Sequence, residues 1–292
     1  MRVHIVDGTY ELFRQFFARP PHQNDDGLEV GAARAVVRSM VRMLEEGATH
    51  MGVATDHVVE SFRNELYDGY KTGSGIDPVL FAQFPVLEEA LRGIGVAVFP
   101  MVKHEADDAM GALAAAAAAD DRVEQVILCT PDKDLAQCVR GNRVVQLDRR
   151  NNKMIDEAGV IEKYGVPPAS IPDYLGLVGD SADGFPGLPG WGAKSTATVL
   201  ARYGTIEAIP DSAGQWDITV RGGAKLAKTL NEQRREAKLF KHLATLDLSA
   251  VNLSNIDEIR WQQPAPTVGD ALRLVDAPEL STRLAHLAEV RQ

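Results

Sequence analysis

Three short apolar runs in the first half of the chain each end at an aspartate. The runs and the residues that end them are 3–6 with Asp7, 51–55 with Asp56, and 125–131 with Asp132. Near-continuous apolar runs of this length are typical of strands covered on both faces, as in a parallel sheet. A fourth run, residues 95–99, predicts another strand that Pro100 closes.

Helical patterns lie between these runs. Apolar residues at positions 37, 40, 41 and 44 recur at the spacing of one helix face, which predicts a core-facing helix over residues 34–44. An alanine-rich stretch predicts a second helix from about Glu105 to Ala119. Strands that alternate with helices predict a doubly wound α/β core that extends to about residue 175.

The pattern changes after residue 175. Residues 176–192 are rich in glycine, and short helical segments follow to about residue 250. The sequence therefore predicts a core over residues 1–175, a helical region over 176–250, and a C-terminal extension over 251–292 that packs on the core.

Composition narrows the class of protein. The 292 residues include 31 Lys and Arg against 41 Asp and Glu, a net charge of −10, and 45% are hydrophobic. No apolar stretch approaches the roughly 18 residues of a membrane span, so no membrane partner is expected. Two cysteines make no disulfide framework, which favours a reducing cytoplasm. Taken alone, the charge of −10 argues against a nucleic-acid partner.

Nine carboxylates stand in short motifs that could hold metal ions. They are Asp7, Asp56, Glu105, Asp107, Asp108, Asp132, Asp134, Asp180 and Asp183. Any single one could be an ordinary N-cap or turn residue. Those that follow strands would meet at the carboxyl edge of the sheet, where carboxylates repel one another unless cations neutralise them. Oxygen ligands without His or Cys indicate Mg²⁺ or Mn²⁺, and two such ions suit phosphodiester hydrolysis.

Residues 186–197 have the form of a helix–hairpin–helix. Gly190 and Gly192 allow a tight turn, and the amides of the following helix could then face a phosphate. Lys194 would add a positive charge, and Ser195 or Thr196 could cap the helix. The alternative is a plain corner between two helices.

Taken together, these segments resemble the 5′-nuclease family, which comprises flap endonucleases and the N-terminal exonuclease domain of bacterial DNA polymerase I. The matching motifs are Val6-Asp7-Gly8, Ser61-Phe62-Arg63, Tyr70-Lys71, residues 104–108, residues 130–135, residues 179–183 and the glycine hairpin. Their order follows the family from residue 1 to about residue 250. The resemblance implies a PIN-like, mostly parallel sheet and a C-terminal helical region with the helix–hairpin–helix.

The resemblance also implies roles for the carboxylates. The first metal site would use Asp7, Asp56, Glu105 and Asp107, and the second would use Asp132, Asp134, Asp180 and Asp183. Asp108 would join either site or a third ion.

Further roles follow from the same resemblance. Arg63 and Lys71 would steady the scissile phosphate, and Tyr70 would stack on a base unless it is a packing residue. The hairpin would grip duplex DNA through its backbone, and could hold K⁺. The hairpin residues concerned are Gly187, Gly190, Gly192, Lys194, Ser195 and Thr196.

The implied activity is cleavage of 5′-flap, branched or 5′-ended duplex DNA in replication and repair. The expected protein is a monomeric, stand-alone bacterial enzyme of the cytoplasm. A related RNA-cleaving nuclease and a non-catalytic DNA-binding module are the alternatives. Two departures from the family stand out. The arch or clamp segment, residues 72–90, lacks Lys and Arg, and Gly184 replaces the usual Asn.

Charge distribution changes the first interpretation of the net charge. Setting aside the nine carboxylates as metal-facing leaves 32 acidic against 31 basic residues, a net of −1. Residues 187–241 carry nine basic and five acidic side chains, a local charge of +4. The distribution thus fits a DNA-binding enzyme with an acidic, cation-binding pocket.

Overall fold

A computed structural model describes residues 1–291 of the chain. They form two compact units, and both units draw on separated stretches of the sequence. Unit 1 comprises Met1–Ser61, Gly73–Thr130 and the chain from Asp247 onwards. Unit 2 comprises Phe62–Thr72 and Pro131–Leu246.

The chain contains strands, α-helices and short 3₁₀ turns. The strands are β1 (Arg2–Asp7), β2 (His50–Asp56), β3 (Ala97–Met101), β4 (Gln125–Cys129), β5 (Val144–Asp148) and β6 (Lys153–Ile155). The helices up to residue 178 are α1 (Gly8–Ala18), α2 (Gly31–Glu45), α3 (Arg63–Leu66), α4 (Pro78–Phe81), α5 (Gln83–Gly93), α6 (Ala106–Ala119), α7 (Glu157–Tyr164) and α8 (Ile171–Val178). The later helices are α9 (Ala193–Tyr203), α10 (Gly223–Glu232), α11 (Arg234–Ala244), α12 (Val268–Leu274) and α13 (Leu280–Arg291). Within residues 1–291, no helix has the length and apolar character needed to cross a membrane.

Unit 1 is built on a parallel sheet with the strand order β3-β2-β1-β4. Val3 of β1 pairs with His50 of β2 on one side and with Val126 of β4 on the other. Helices α1 and α2 connect β1 to β2, and α6 connects β3 to β4. This alternation confirms the predicted doubly wound α/β fold.

The fourth predicted strand differs from the prediction at its end. β3 continues through Pro100, which pairs with Thr55 of β2, so the prediction that Pro100 closes the strand is wrong. Among the strands of unit 1, β3 lies at the outer end of the order. Edge strands are where a sheet tolerates Pro, which cannot donate to the ladder of hydrogen bonds.

Both predicted helices are confirmed. The apolar stripe at positions 37, 40, 41 and 44 is fully buried on α2, which extends a few residues beyond residues 34–44 at its N-terminal end. Helix α6 begins at Ala106, because Glu105 is the N-cap residue. The alanines of α6 allow it to pack closely against the sheet.

Unit 2 is mainly helical. Its strands β5 and β6 form an antiparallel pair, and the described chain contains no strand after Ile155. An apolar core that includes Trp191, Phe185 and Phe240 holds α8, α9, α10 and α11 together. The helical character after the sheet agrees with the expected C-terminal helical region.

Candidate metal centres and nucleic-acid interface

In unit 1, Asp7 lies at the carboxyl end of β1. It is the N-cap of α1, because its Oδ1 accepts a hydrogen bond of 2.7 Å from the Tyr10 amide. Its Oδ2 accepts a bond of 2.9 Å from the Thr130 hydroxyl. Both oxygens are thus fixed in direction by donors of unit 1.

Asp56 ends β2, the neighbouring strand. Its amide donates to the Thr9 hydroxyl at 2.8 Å, and its Oδ1 accepts from the Ala106 amide at 2.7 Å. The second bond places the carboxylate at the N-terminus of α6, where the helix dipole favours a negative charge. The side chain is half-buried, so an approaching ion can reach it.

The Glu105 segment is held by hydrogen bonds on both sides. Glu105 Oε1 accepts from the Ser61 hydroxyl at 2.7 Å. Asp108 is fully buried, and its two oxygens accept from the Glu105 amide at 3.0 Å and the Asp247 amide at 2.8 Å. This geometry favours a positioning role for Asp108 over the predicted metal contact. Asp107 is half-buried and remains a predicted ligand.

In unit 2, three buried carboxylates form what we call the second carboxylate cluster: Asp134, Asp180 and Asp183. One oxygen of each lies within 4.8 Å of the others. Asp134 Oδ1 is buried and has no hydrogen-bond partner. Burial, together with the neighbouring carboxylates, raises the pKa of Asp134 well above its usual value. A buried, unpartnered oxygen among three carboxylates fits a hard divalent cation.

Two lysines contact this cluster. Lys71 Nζ lies 2.9 Å from Asp183 Oδ1, and Lys133 Nζ lies 2.8 Å from Asp180 Oδ1. Asp134 has no such cation among the ion pairs of residues 1–291. The cluster is therefore only partly neutralised by the protein.

Asp132 lies beside the cluster on the turn that leads into a 3₁₀ helix, Asp134–Cys138. Its side chain is exposed, and its Oδ1 accepts from the Asp134 amide at 2.9 Å. Its main-chain carbonyl accepts from Gln146 Nε2 at 2.6 Å, which fixes the turn against β5. The carboxylate is thus presented to solvent from a fixed main chain.

Arg63 occupies a position different from the one its predicted role requires. The side chain is only 2% exposed. Its Nε donates to the Leu243 carbonyl at 2.7 Å, and one terminal nitrogen donates to the Thr245 carbonyl at 3.1 Å. This geometry favours a structural role over the predicted phosphate contact, because the guanidinium is engaged with main-chain carbonyls.

Tyr70 is also buried. Its ring belongs to the apolar core of unit 2 and is 3% exposed. A ring in this position cannot present a face to a base, so the structure favours the packing alternative. Lys71 Nζ lies 5.7 Å from the ring centroid, and Tyr70 therefore also supports that lysine.

Gly184, one of the two departures from the family, meets a packing requirement of this chain. It has φ of +89°, and a Cβ there would lie 2.1 Å from the Gly69 carbonyl oxygen. The Lys71 amide donates to the Asp183 carbonyl at 2.9 Å in the same contact. The close approach brings Lys71 to the cluster, and only glycine permits it without displacement of the main chain.

The predicted hairpin joins α8 to α9. Gly190 has φ of +87°, and a Cβ on Gly187 would lie 2.3 Å from the Gly179 amide nitrogen. Trp191 is buried and donates to the Leu226 carbonyl at 3.2 Å. The positive φ accounts for Gly190, and close backbone contact accounts for Gly187.

Helix α9 begins directly after the hairpin. Lys194 is exposed and Ser195 is half-buried in its first turn, and the Ser195 hydroxyl bonds to the main chain of Gly192. The side chain of Thr196 is fully buried, so its position does not favour the predicted side-chain contact with DNA. The anion-binding role of this helix N-terminus, with Lys194 in its first turn, stays a prediction.

Comparison with protein families gives two adjacent matches that cover most of the chain. Residues 2–165 match the 5′-3′ exonuclease, N-terminal resolvase-like domain, and residues 166–267 match the 5′-3′ exonuclease, C-terminal SAM fold. The chain belongs to the 5′-3′ exonuclease family. It is therefore a nuclease with a family-typical core and a helical C-terminal part, as the sequence motifs indicated.

Curated relatives agree with this assignment. The chain is 34% identical to a 5′-3′ exonuclease of Aquifex aeolicus over 210 residues, which cover 71% of either protein. It is 35% identical to DNA polymerase I of Bacillus caldotenax over 263 residues, or 88% of this chain. The match spans only 29% of that polymerase's length.

Solved structures of other nucleases share the fold. A zinc-bound T5 5′-exonuclease superposes with a TM-score of 0.66 and 18% identity, and the match covers all of both chains. The catalytic core of Rad2 in complex with DNA substrate superposes with a TM-score of 0.61 and 16% identity over 98% of this chain and 92% of that one. At sequence identities of 18% and 16%, these similarities show a shared fold and nothing more.

Sequence reasoning missed the residues that hold or neutralise the carboxylates. Lys133 stands between the candidate ligands Asp132 and Asp134. A lysine in that position was the available signal that a positive charge neutralises the carboxylates. Thr130 and Ser61 lie in recognised motifs, yet their hydroxyl bonds to Asp7 and Glu105 depend on the fold.

Proposed function

We propose that this nuclease cleaves 5′-flap, branched or 5′-ended duplex DNA by hydrolysis, using two or more Mg²⁺ or Mn²⁺ ions. The observation that carries the proposal is the second carboxylate cluster, in which Asp134 Oδ1 is buried without a partner. Burial of a carboxylate costs free energy unless a cation or a donor compensates it. A bound divalent ion would supply that compensation.

The ligands would come from the nine carboxylates named from the sequence. Asp7, Asp56, Glu105 and Asp107 would hold one ion, and the second carboxylate cluster with Asp132 would hold another. Asp108 would position Glu105 through its bond to the Glu105 amide. When bound, the ions would act as Lewis acids that stabilise the attacking and leaving oxygens of phosphodiester hydrolysis, giving 5′-phosphate and 3′-hydroxyl ends.

The protein's own cations would handle the substrate phosphate. Lys71 is placed beside the cluster by the Gly184 contact, and its ammonium would stabilise charge that develops on the scissile phosphate. Arg63 would act indirectly, by fixing the main chain that precedes Lys71.

Duplex DNA would be bound through its backbone at the hairpin. The N-terminus of α9 offers amides and the exposed Lys194, and residues 187–241 carry a charge of +4. Contacts of this kind do not depend on base sequence. The hairpin carbonyls could hold K⁺. The solved Rad2 core contains DNA substrate, which supports DNA as the partner of this fold. A role in bacterial replication and repair follows from that substrate.

The direct test is Asp134→Asn on a labelled 5′-flap duplex with a defined junction, in Mg²⁺ and in Mn²⁺. Loss of one cluster carboxylate should lower the cleavage rate by about a thousandfold, since charge stabilisation at the reacting phosphate is lost. Asp121→Asn, at an exposed site of unit 1, is the matched control and should cleave at the wild-type rate.

Product lengths define the substrate class in the same assay. Cuts at or next to the flap junction would support the proposed structure specificity. Undiminished cleavage by Asp134→Asn would contradict the metal assignment, and wild-type cleavage of RNA stem-loops in preference to flaps would favour the RNA-cleaving alternative.

A further inference from the structure

The second carboxylate cluster carries an ammonium whose role the nuclease reaction does not explain. Lys133 Nζ lies 2.8 Å from Asp180 Oδ1, and Asp180 is 2% exposed. The same oxygen accepts from the Ala182 amide at 2.9 Å. The contact therefore joins an accessible lysine to a carboxylate that water cannot reach, unlike an ordinary surface ion pair.

We propose that Lys133 is a built-in counter-ion of the second carboxylate cluster, which a divalent cation must displace from Asp180. The inference rests on the proposed metal-dependent cleavage and extends it to the resting state of the enzyme. Lys133 stabilises the metal-free protein, and by competing for Asp180 it weakens metal binding. It thereby sets the free metal concentration at which the cluster fills.

Lys133 is better suited to leave than Lys71. The Lys71 amide donates to the Asp183 carbonyl at 2.9 Å, and Asn64 donates to the Lys71 carbonyl at 2.9 Å. Its ammonium also lies over the Tyr70 ring. The Lys133 side chain is 35% exposed and its ammonium pairs with Asp180, so it can turn into solvent at small cost.

The position of Lys133 in the chain keeps it available. It stands between Asp132 and Asp134, at the N-cap of the 3₁₀ helix Asp134–Cys138. Because the main chain is fixed there by the Asp132 turn, the ammonium stays within reach of the cluster after it is displaced. Loss of the metal would therefore restore the pair with Asp180.

The test compares wild type with Lys133→Met by two measurements that need no cleavage. Calorimetric titration with Mn²⁺ should show about tenfold tighter binding by the variant, because one nearby positive charge is removed. In EDTA, the variant should melt at least about 2 °C lower than wild type, because Asp180 loses its counter-ion. A purely structural lysine would lower the melting temperature without tightening Mn²⁺ binding.

Two further variants keep the test decisive. Lys133→Arg retains the positive charge, so its Mn²⁺ affinity and its melting temperature in EDTA should equal those of wild type. This comparison remains available if Lys133→Met folds poorly. Lys153→Met removes an exposed lysine of unit 2 and should leave Mn²⁺ affinity unchanged. If Lys133→Met binds Mn²⁺ no more tightly than wild type, the counter-ion role is wrong. Failure of wild type itself to bind Mn²⁺ would instead contradict the proposed function.

Discussion

The carboxylates of unit 1 and those of unit 2 are stabilised in different ways. In unit 1, Asp7, Asp56 and Asp108 accept hydrogen bonds from main-chain amides or hydroxyls at 2.7–3.0 Å. In unit 2, the second carboxylate cluster has two lysine contacts and one buried oxygen, on Asp134, without a partner. The first group is fixed by donors, whereas the second is left short of positive charge.

This difference indicates what each group contributes to function. Hydrogen-bonded carboxylates keep their direction without a cation, so in the proposed function they would act as preformed ligands. A cluster short of charge destabilises the metal-free fold and is relieved by a cation. Buried like charges of this kind are a common cost of catalytic sites. Substitutions in the two groups should therefore have opposite effects on stability.

The largest expected effect is that of Asp108→Asn. The amide group would place N–H donors against the Glu105 or Asp247 amide, so at least one buried bond to a charged acceptor is lost. We expect the free energy of unfolding to fall by about 2–3 kcal/mol. Urea denaturation in EDTA measures it, with Asp121→Asn as control. If the free energy of unfolding falls no more in Asp108→Asn than in Asp121→Asn, Asp108 is not a positioning residue.

Asp134→Asn should have the opposite effect in EDTA. Removing one of three mutually repelling buried carboxylates should raise the free energy of unfolding by roughly 1–2 kcal/mol, within the range of single stabilising substitutions. The same denaturation experiment measures it. A destabilised Asp134→Asn protein would mean that the cluster is not short of positive charge.

A smaller effect concerns pH. The pKa of Asp134 is raised by burial, so its contribution to stability is present at low pH and is lost as pH rises through the raised pKa. Asp134→Asn lacks this titration. In EDTA, its advantage in melting temperature over wild type should therefore shrink as the pH is lowered over the range in which both proteins stay folded. A constant difference across this range would contradict the assigned cause of the pKa shift.

The sequence predicted the positions of the strand-end carboxylates better than it predicted their surroundings. Asp7 and Asp56 could be placed because an apolar strand ends at each, which is a local signal. The burial of Arg63 could not be predicted from sequence, since its carbonyl partners are Leu243 and Thr245, about 180 residues away. The close approach of Gly184 to Gly69 is equally a product of tertiary packing.

The difference for Tyr70 has the same origin. A Tyr-Lys pair looks identical in sequence whether the ring faces solvent or the core, and only the packing of unit 2 decides it. The contact of Lys133 with Asp180 also depends on tertiary packing, because the two residues lie 47 positions apart in the chain.

The central claim is that the second carboxylate cluster needs a divalent cation. Its most direct test is the melting temperature of wild type and Asp134→Asn, each in EDTA and in Mn²⁺. A ligand that binds only the folded state raises its stability, by about 2.7 kcal/mol at a hundredfold excess over Kd. We expect a clear Mn²⁺-induced rise in melting temperature for wild type and a much smaller one for Asp134→Asn. Equal rises in both proteins, or none in wild type, would contradict it.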